Sequence, residues 1–176
     1  MYLLKIRESC PIKKSISTIT KFRRGEMMKK TLTIILIGFI CVSFAYAQEK
    51  GTASEAKALL DRAVAYYIAN GKDKAFAAFN NTKGKFVYSD LYIYVIDIKG
   101  DILAHGGDAK LIGQHMIDLK DADGEKFIKA IIDETNKKNK GSRDYKWTNP
   151  LTKKIEKKST FFERVGGVII ICGYYK

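Results

Sequence analysis

The fold of this chain is constrained first by a run of Tyr, Ile, Val and Leu at residues 91–96 and by the turn after it. β-Branched and aromatic residues fit a pleated, half-buried surface, so the run predicts a β-strand. Residues 97–100 have turn chemistry, and Gly100 can adopt a positive φ, so residues 102–105 are expected to return as a second strand. The sequence therefore predicts a central β-hairpin.

The two faces of the first predicted strand differ in chemistry. Successive side chains on a strand point to opposite faces. One face carries Leu91, Ile93 and Val95, and the other carries Tyr92, Tyr94 and Ile96. We expect the first face to be core and the tyrosine face to line a ligand cavity, beside His105 of the same hairpin. The alternative is that both tyrosines are ordinary sheet residues whose hydroxyls contact water.

The start of the chain has the pattern of a secretory signal. Residues 28–30 are basic, residues 32–42 are apolar, and Ala45 and Ala47 form a small-x-small cleavage site. The apolar run is too short for a confident transmembrane helix. The sequence predicts a signal peptide over residues 27–47 and a periplasmic or secreted protein with no stable membrane anchor after cleavage.

Residues 1–26 precede the predicted signal, although a secretory leader usually begins within a few residues of the start. We interpret them as an upstream extension from a misplaced start codon; the alternative is a long basic leader. Cleavage after Ala47 leaves residues 48–176, which is the size of one domain with a proper core.

Charge and cysteine content limit the possible partners. Residues 48–176 hold 23 Lys and Arg and 17 Asp and Glu, a net charge of +6. This excess favours anionic ligands, but no Arg-rich helix or aromatic-interleaved basic stripe indicates a nucleic-acid partner. Cys172 is the only cysteine after residue 47, so stability is expected to come from a hydrophobic core without an intrachain disulfide.

Two helices are predicted before the hairpin. Thr52 and Glu55 are spaced as a capping box, and the apolar residues that follow repeat at intervals of three and four. Asn70 and Gly71 are typical of a helix end, and residues 73–79 predict a second, short helix.

A third helix and three more strands are predicted after the hairpin. Asp121 begins an Asp-x-Asp-Gly pattern like the head of a calcium loop, but Lys and Ile stand where an EF-hand needs further acidic ligands. Helix capping is therefore its expected role, for a helix that runs to about residue 136. The later strands are expected at residues 142–147, 157–164 and 168–174. Tight turns favour antiparallel pairing, so the predicted class is α+β with about five antiparallel strands.

Eight motifs come in the order found in the single Cache domain family. They lie at residues 90–95, 97–100, 104–105, 111–113, 118–124 and 145–150, at Lys158, and at residues 173–175. The chain resembles this family over nearly all of residues 48–176. The resemblance implies a long N-terminal helix packed on a PAS-like antiparallel sheet, which agrees with the element order predicted from periodicity.

The resemblance also implies a function. Cache domains are extracytoplasmic sensor modules of chemoreceptors and histidine kinases, and single ones often bind pyruvate, lactate, acetate or propionate. Because the last strand ends next to Lys176, we interpret the chain as similar to the stand-alone exported members, which lack a second membrane span and an output domain. The expected partners are a small organic acid and a membrane receptor or kinase.

The expected ligand site combines one cation with neutral donors and aromatic walls. The resemblance places Lys158 on the strand that faces the pocket, where its ammonium would bind a carboxylate. The donors would be Tyr92, Tyr94 and His105, and the wall would be Trp147. Phe161 stands where the family often has Tyr, which removes a possible hydroxyl.

Each of these assignments has a structural alternative. Lys158 follows Lys157 and could be one of two solvated lysines. Trp147 could belong to the core, and His105 could serve the turn beside it.

We do not expect an enzyme, a cofactor or a metal site. Cys172 as a nucleophile with His105 or His115 as base is disfavoured, because the thiol lies in an apolar strand. Two scattered histidines without repeated His or Cys spacing do not predict zinc. The alternative function is a structural or protein-interaction module of the cell envelope, with the pocket filled by the protein's own side chains.

Overall fold

Two helices cover opposite faces of one antiparallel sheet in the computed structural model of this protein, which describes residues 49–176. The extension predicted for residues 1–26 and the signal peptide predicted for residues 27–47 lie outside the described residues. Neither helix within residues 49–176 is long and apolar enough to cross a membrane.

The chain contributes one long helix, a meandering sheet and a short second helix. In chain order the elements are α1 (Ala53–Asn80), β1 (Val87–Tyr88), β2 (Leu91–Asp97), β3 (Ile102–His105), a 3-10 turn (Ala109–Leu111), α2 (Phe127–Thr135), β4 (Lys140–Thr148), β5 (Ile155–Val165) and β6 (Val168–Tyr175). The sheet order is β1-β2-β6-β5-β4, with β3 also paired to β2. The α+β fold is confirmed, and the strand missing from the prediction is the two-residue β1.

Helix α1 begins and bends where the sequence predicts. The Thr52 hydroxyl accepts a hydrogen bond from Glu55 N, and the Glu55 carboxylate accepts one from Thr52 N, so the capping box is formed. Gly71 has a φ of 74° and a ψ of 173°, which interrupts the helical backbone. The two predicted helices are therefore one segment with a sharp bend at glycine, the residue that adopts this φ without steric cost.

The alternation of β2 divides the core into two layers. Its odd-numbered residues 91, 93 and 95 pack under α1, together with Ile170 and Cys172 of β6. Its even-numbered residues 92, 94 and 96 face the opposite side, where they pack with α2 and with Ile169 and Ile171. The period of two therefore places the Tyr92 and Tyr94 side chains on the face opposite α1.

Asp121 does not cap α2, so the predicted capping role is wrong. The helix begins at Phe127, and its N-cap residue makes no side-chain capping hydrogen bond. The Asp121 carboxylate instead accepts hydrogen bonds from the backbone N–H groups of Asp123, Glu125 and Lys146, at 2.9, 2.9 and 3.0 Å. Burial raises the pKa of Asp121, but these donors outweigh burial and hold the pKa below its usual value. Asp121 thus attaches the loop before α2 to strand β4.

Candidate functional site

Two adjacent cavities open on the sheet face opposite α1. The inner cavity has a volume of about 20 Å³ and the outer one about 290 Å³. The inner cavity is lined by Tyr92, Tyr94, Ile102, His105, Leu111, Met116, Phe127, Ile128, Tyr145 and Trp147. The outer cavity is lined by Tyr92, His105, Gly107, Asp108, Leu111, Trp147, Thr148, Pro150 and Lys153. Four residues are common to both, so the outer cavity forms the approach to the inner one.

Lys158 is a buried cation beside this site. Its side chain on β5 is 0% exposed, and Nζ donates a 2.7 Å hydrogen bond to the Tyr92 hydroxyl. Nζ also lies 3.9 Å from the Tyr92 ring centroid and 4.9 Å from that of Tyr175. Among residues 49–176, no carboxylate lies within ion-pair distance of it.

A buried ammonium needs compensation, because the interior solvates charge poorly. Cation–π contacts and one hydroxyl hydrogen bond supply part of it. Lys158 is not among the residues that line either cavity; the Tyr92 side chain lines both and also contacts the ammonium. The ammonium therefore lies at the edge of the site, in contact with the Tyr92 side chain.

Strand register brings the aromatic residues together around Lys158. Lys158 pairs with Tyr145 on β4 and with Tyr175 on β6. Tyr145 lines the inner cavity, and the Tyr175 hydroxyl donates to the Thr148 carbonyl at 2.9 Å. Neither tyrosine was predicted as a site residue. The alternation of β4, which puts Tyr145 on the same face as Trp147, is the sequence signal that could have identified the first of them.

His105 has a defined orientation and tautomer. Its Nδ1 accepts hydrogen bonds from the backbone N–H groups of Gly107 at 3.2 Å and Asp108 at 2.8 Å. An acceptor nitrogen carries no proton, so the proton of the neutral ring is on Nε2. Burial and then the Lys158 ammonium lower the pKa of His105 to about 4. The ring is therefore a neutral donor at physiological pH.

The second ring nitrogen of His105, Nε2, is not used by the turn. The side chain lines both cavities, and Nε2 makes no hydrogen bond to another residue in the described part of the chain. No buried side-chain nitrogen or oxygen described there lacks a partner, so this nitrogen is accessible. One ring nitrogen of His105 therefore supports the turn, and the side chain also lines both cavities.

The remaining polar groups of the inner cavity are neutral. The hydroxyls of Tyr94 and Tyr145 lie 3.2 Å apart in a hydrogen bond. Burial raises the pKa of both, so both remain protonated at neutral pH. One hydroxyl donates to the other, which leaves one hydroxyl hydrogen for a further acceptor.

Trp147 is one of the residues that the inner and outer cavities share. It is half-buried on β4, with its ring centroid 5.4 Å from that of Phe127 and 6.4 Å from that of Tyr145. Trp147 lines both cavities, and the neighbouring rings of Phe127 and Tyr145 stack on each other with centroids 4.1 Å apart. Movement of this side chain would change the size of the opening.

The loop between β4 and β5 is held over the outer cavity by a buried hydrogen-bond network. Asn149 donates from Nδ2 to an Asp90 carboxylate oxygen at 3.3 Å, and Asp90 also accepts from Gly51 N at 2.7 Å. Both side chains are 0% exposed. Pro150 and Lys153 of this loop line the outer cavity, so Asp90 positions one wall of the approach.

Replacing Asp90 with Asn is expected to lower the free energy of unfolding by about 1–3 kcal/mol, because one amide donor would then face another N–H donor. Chemical denaturation of the parent and the variant measures this difference. Asp61→Asn is the control, since Asp61 is exposed and its salt bridge is to Lys57 one turn away; its effect should stay within about 0.5 kcal/mol. An equal, small effect of both changes would contradict the assigned role of Asp90.

The side chains considered for covalent catalysis are not brought together. Cys172 is buried in the core under α1, where burial raises the pKa of its thiol to about 12. His105 lies on the opposite face of the sheet, and His115 is exposed and pairs with Asp101 at 2.6 Å.

Comparison with known proteins identifies a family. The family model described as "Single Cache domain 2" matches residues 23–176. The sensor histidine kinase MctS of Rhizobium johnstonii (strain DSM 114642 / LMG 32736 / 3841) is 36% identical over 72 residues, which are 41% of this chain. These residues span 15% of the length of the kinase.

Solved structures share the fold at low sequence identity. A "Periplasmic sensor domain of chemotaxis protein" aligns with a TM-score of 0.54 and 19% identity, over 68% of this chain and 87% of the other. A Cache chemosensory domain described for carboxylic acid recognition aligns at 0.53 and 20%, over 68% and 85%. A methyl-accepting chemotaxis protein from Vibrio parahaemolyticus RIMD 2210633 aligns at 0.52 and 20%, over 88% and 95%.

Proposed function

Since this chain belongs to the Single Cache domain 2 family, we propose that it is an extracytoplasmic sensor domain that binds a small monocarboxylate in the inner cavity. The ligand is of the pyruvate, lactate, acetate or propionate type. The domain presents its bound state to a membrane receptor or kinase, since the proteins it resembles are a sensor kinase and chemotaxis receptors.

The observation that carries this proposal is the buried ammonium of Lys158. It has no anionic partner in residues 49–176, and a carboxylate next to Tyr92 would supply one. A carboxylate accepts charge-assisted hydrogen bonds, which are the strong class in proteins. The carboxylic acid recognition described for a Cache chemosensory domain of the same fold supports this choice of ligand.

The lining of the inner cavity supports an acid over an amine. Its ten residues include three tyrosines, one neutral histidine and one tryptophan, and none of them is Asp or Glu. A bound ammonium would find no counter-charge there and would be repelled by Lys158.

Binding requires side chains to move. An inner volume of about 20 Å³ holds about one water molecule, so a two- to four-carbon acid enters only when lining side chains move. Trp147 and Met116 are the movable parts of that wall, and the outer cavity of about 290 Å³ provides the space beside Trp147. Ligand binding should therefore change the surroundings of the only tryptophan in the chain.

Calorimetry together with Trp147 fluorescence tests the function. The domain is titrated with small acids, amino acids and amines. We expect the monocarboxylates to bind and to shift the Trp147 emission, and the amines to do neither. Binding of amines without acids would overturn the carboxylate proposal.

A structural or protein-interaction role is the second candidate. The observation in its favour is that Lys158 already donates to Tyr92 and packs against tyrosine rings, which reduces its need for a ligand. If none of the acids binds, and variants of Lys158 and Lys157 are as stable as the parent, this alternative is favoured.

We further propose that export removes the signal peptide of residues 27–47 and leaves a domain that begins at Gln48. Ala45 and Ala47 are the two small residues of an Ala-x-Ala cleavage site, which places the cut after Ala47. N-terminal sequencing of the exported protein should give Gln48 as the first residue. A mature chain that still carries residues 32–42 would indicate a membrane anchor instead.

A further inference from the structure

We infer that the inner cavity distinguishes ligands at their second carbon, where the Nε2–H group of His105 binds an oxygen. Monocarboxylates with a 2-hydroxy or 2-oxo group should therefore bind more tightly than unsubstituted acids, and 2-ammonium acids should be rejected. This inference rests on the proposed function, because it assumes that the carboxylate lies beside Lys158.

The donor on His105 is fixed by the turn that follows β3. Two backbone N–H groups, of Gly107 and Asp108, occupy Nδ1 and force the ring proton onto Nε2. The loop fits closely, because a Cβ at Gly107 would come within 2.9 Å of the Tyr92 ring. The imidazole also packs against both Tyr92 and Tyr94, with ring centroids 4.9 and 5.6 Å away. Such a donor is pre-organised and loses little entropy on binding.

The geometry separates this donor from the cation. The Lys158 ammonium lies 3.9 Å from the Tyr92 ring centroid, and the His105 ring lies 4.9 Å from the same centroid. Both groups contact the same phenol ring, so a small ligand bound beside Tyr92 is close to each of them. A carboxylate held at Lys158 and the Tyr92 hydroxyl thus presents its second carbon to His105.

The inner cavity contains more donors than an unsubstituted acid can use well. Besides the Tyr92 hydroxyl, which Lys158 contacts from outside the cavity lining, it offers His105 Nε2–H, the spare hydrogen of the Tyr94–Tyr145 pair and the Trp147 indole N–H. An alkyl second carbon would bury the His105 donor without an acceptor, and an unpaired buried donor costs free energy. A hydroxyl or keto oxygen supplies that acceptor.

An ammonium at the second carbon would find no anionic partner in the inner cavity. The groups that face His105 are Tyr92 and Tyr94 on β2, Lys158 on β5 and Asp108 in the following loop. Of these only Asp108 is an anion, and it lines the outer cavity rather than the inner one. The ammonium would face the His105 N–H and the Lys158 charge without a partner.

Three ligands with one carbon skeleton test the inference: lactate, propionate and alanine differ only in the group at the second carbon. In calorimetry, lactate should bind roughly tenfold more tightly than propionate. This difference corresponds to the one neutral hydrogen bond that propionate cannot form. Alanine should show no binding at concentrations that saturate with lactate. Because His105 stays neutral, the affinity for lactate should be constant from about pH 5.5 to pH 8.

His105→Asn is the discriminating variant. The Asn side-chain oxygen can occupy the position of Nδ1 and accept from Gly107 and Asp108, but the variant lacks the N–H at the position of Nε2. The roughly tenfold preference for lactate over propionate should disappear, because lactate loses a hydrogen bond and propionate no longer buries an unpaired donor. His105→Leu removes both functions, so it should also lower the melting temperature; the Asn variant should not.

The outcomes separate this inference from the proposed function. If no acid binds to the parent protein, the proposed function fails. If lactate and propionate bind equally, or if His105→Asn weakens both to the same extent, the acid site stands but recognition at the second carbon is overturned. Alanine binding as tightly as lactate would overturn it as well.

Discussion

Replacing Lys158 with Met is expected to weaken binding of the monocarboxylate roughly ten- to a hundredfold, because a charge-assisted hydrogen bond contributes about 1.5–3 kcal/mol. Methionine keeps the length and the apolar stem of the side chain and removes only the ammonium. Calorimetry with the acid that binds the parent most tightly measures the loss.

The neighbouring lysine provides the matched control. Lys157 is exposed on the other face of β5 and pairs with Asp144 at 3.2 Å. Lys157→Met should change the affinity less than about twofold, since exposed ion pairs contribute little. Equal losses in both variants would mean that general electrostatic attraction, rather than the buried ammonium, accounts for binding.

The stability of Lys158→Met adds a second criterion. A buried charge without a carboxylate partner is costly, so its replacement by an apolar side chain of similar size should leave the free energy of unfolding unchanged or raise it. Chemical denaturation in the absence of ligand measures this. A loss of several kcal/mol would mean that the contacts to Tyr92 and Tyr175 already compensate the charge, which would contradict the role of Lys158 as a cation that lacks a partner.

Replacing Phe79 with Ala should lower the free energy of unfolding by about 3–5 kcal/mol, the usual cost of a fully buried aromatic residue. Phe79 is 0% exposed near the end of α1, and its ring meets that of Phe86 edge to face with centroids 4.8 Å apart. Its backbone carbonyl also lies close to Gly106, beside the His105 turn. Chemical or thermal denaturation measures the change.

Ile68→Ala on the same helix is the control for this prediction. Ile68 is 68% exposed, so its truncation should cost less than about 0.5 kcal/mol. Phe79 belongs to the core under α1 and not to the cavities, so the folded variant should keep the carboxylate affinity of the parent. A loss of affinity under conditions where Phe79→Ala is fully folded would contradict the separation of the two layers.

Local sequence was sufficient for most of the fold. The capping box at Thr52, the break at Gly71 and the hairpin at residues 91–105 depend on interactions between residues close in the chain, so periodicity and turn chemistry predict them. The role of Asp121 was predicted wrongly because it depends on a residue that is distant in the chain. Its partner Lys146 lies 25 residues away, and no local pattern indicates that contact.

The candidate site shows the same division. The sequence by itself determined that Tyr92 and Tyr94 share a face of β2, because side chains on a strand alternate with a period of two. Only the tertiary structure decided that Lys158 is buried against Tyr92 and Tyr175 while Lys157 is exposed. That outcome depends on the register of β5 with β4 and β6, which is set by packing and pairing between distant segments rather than by the neighbours of either lysine.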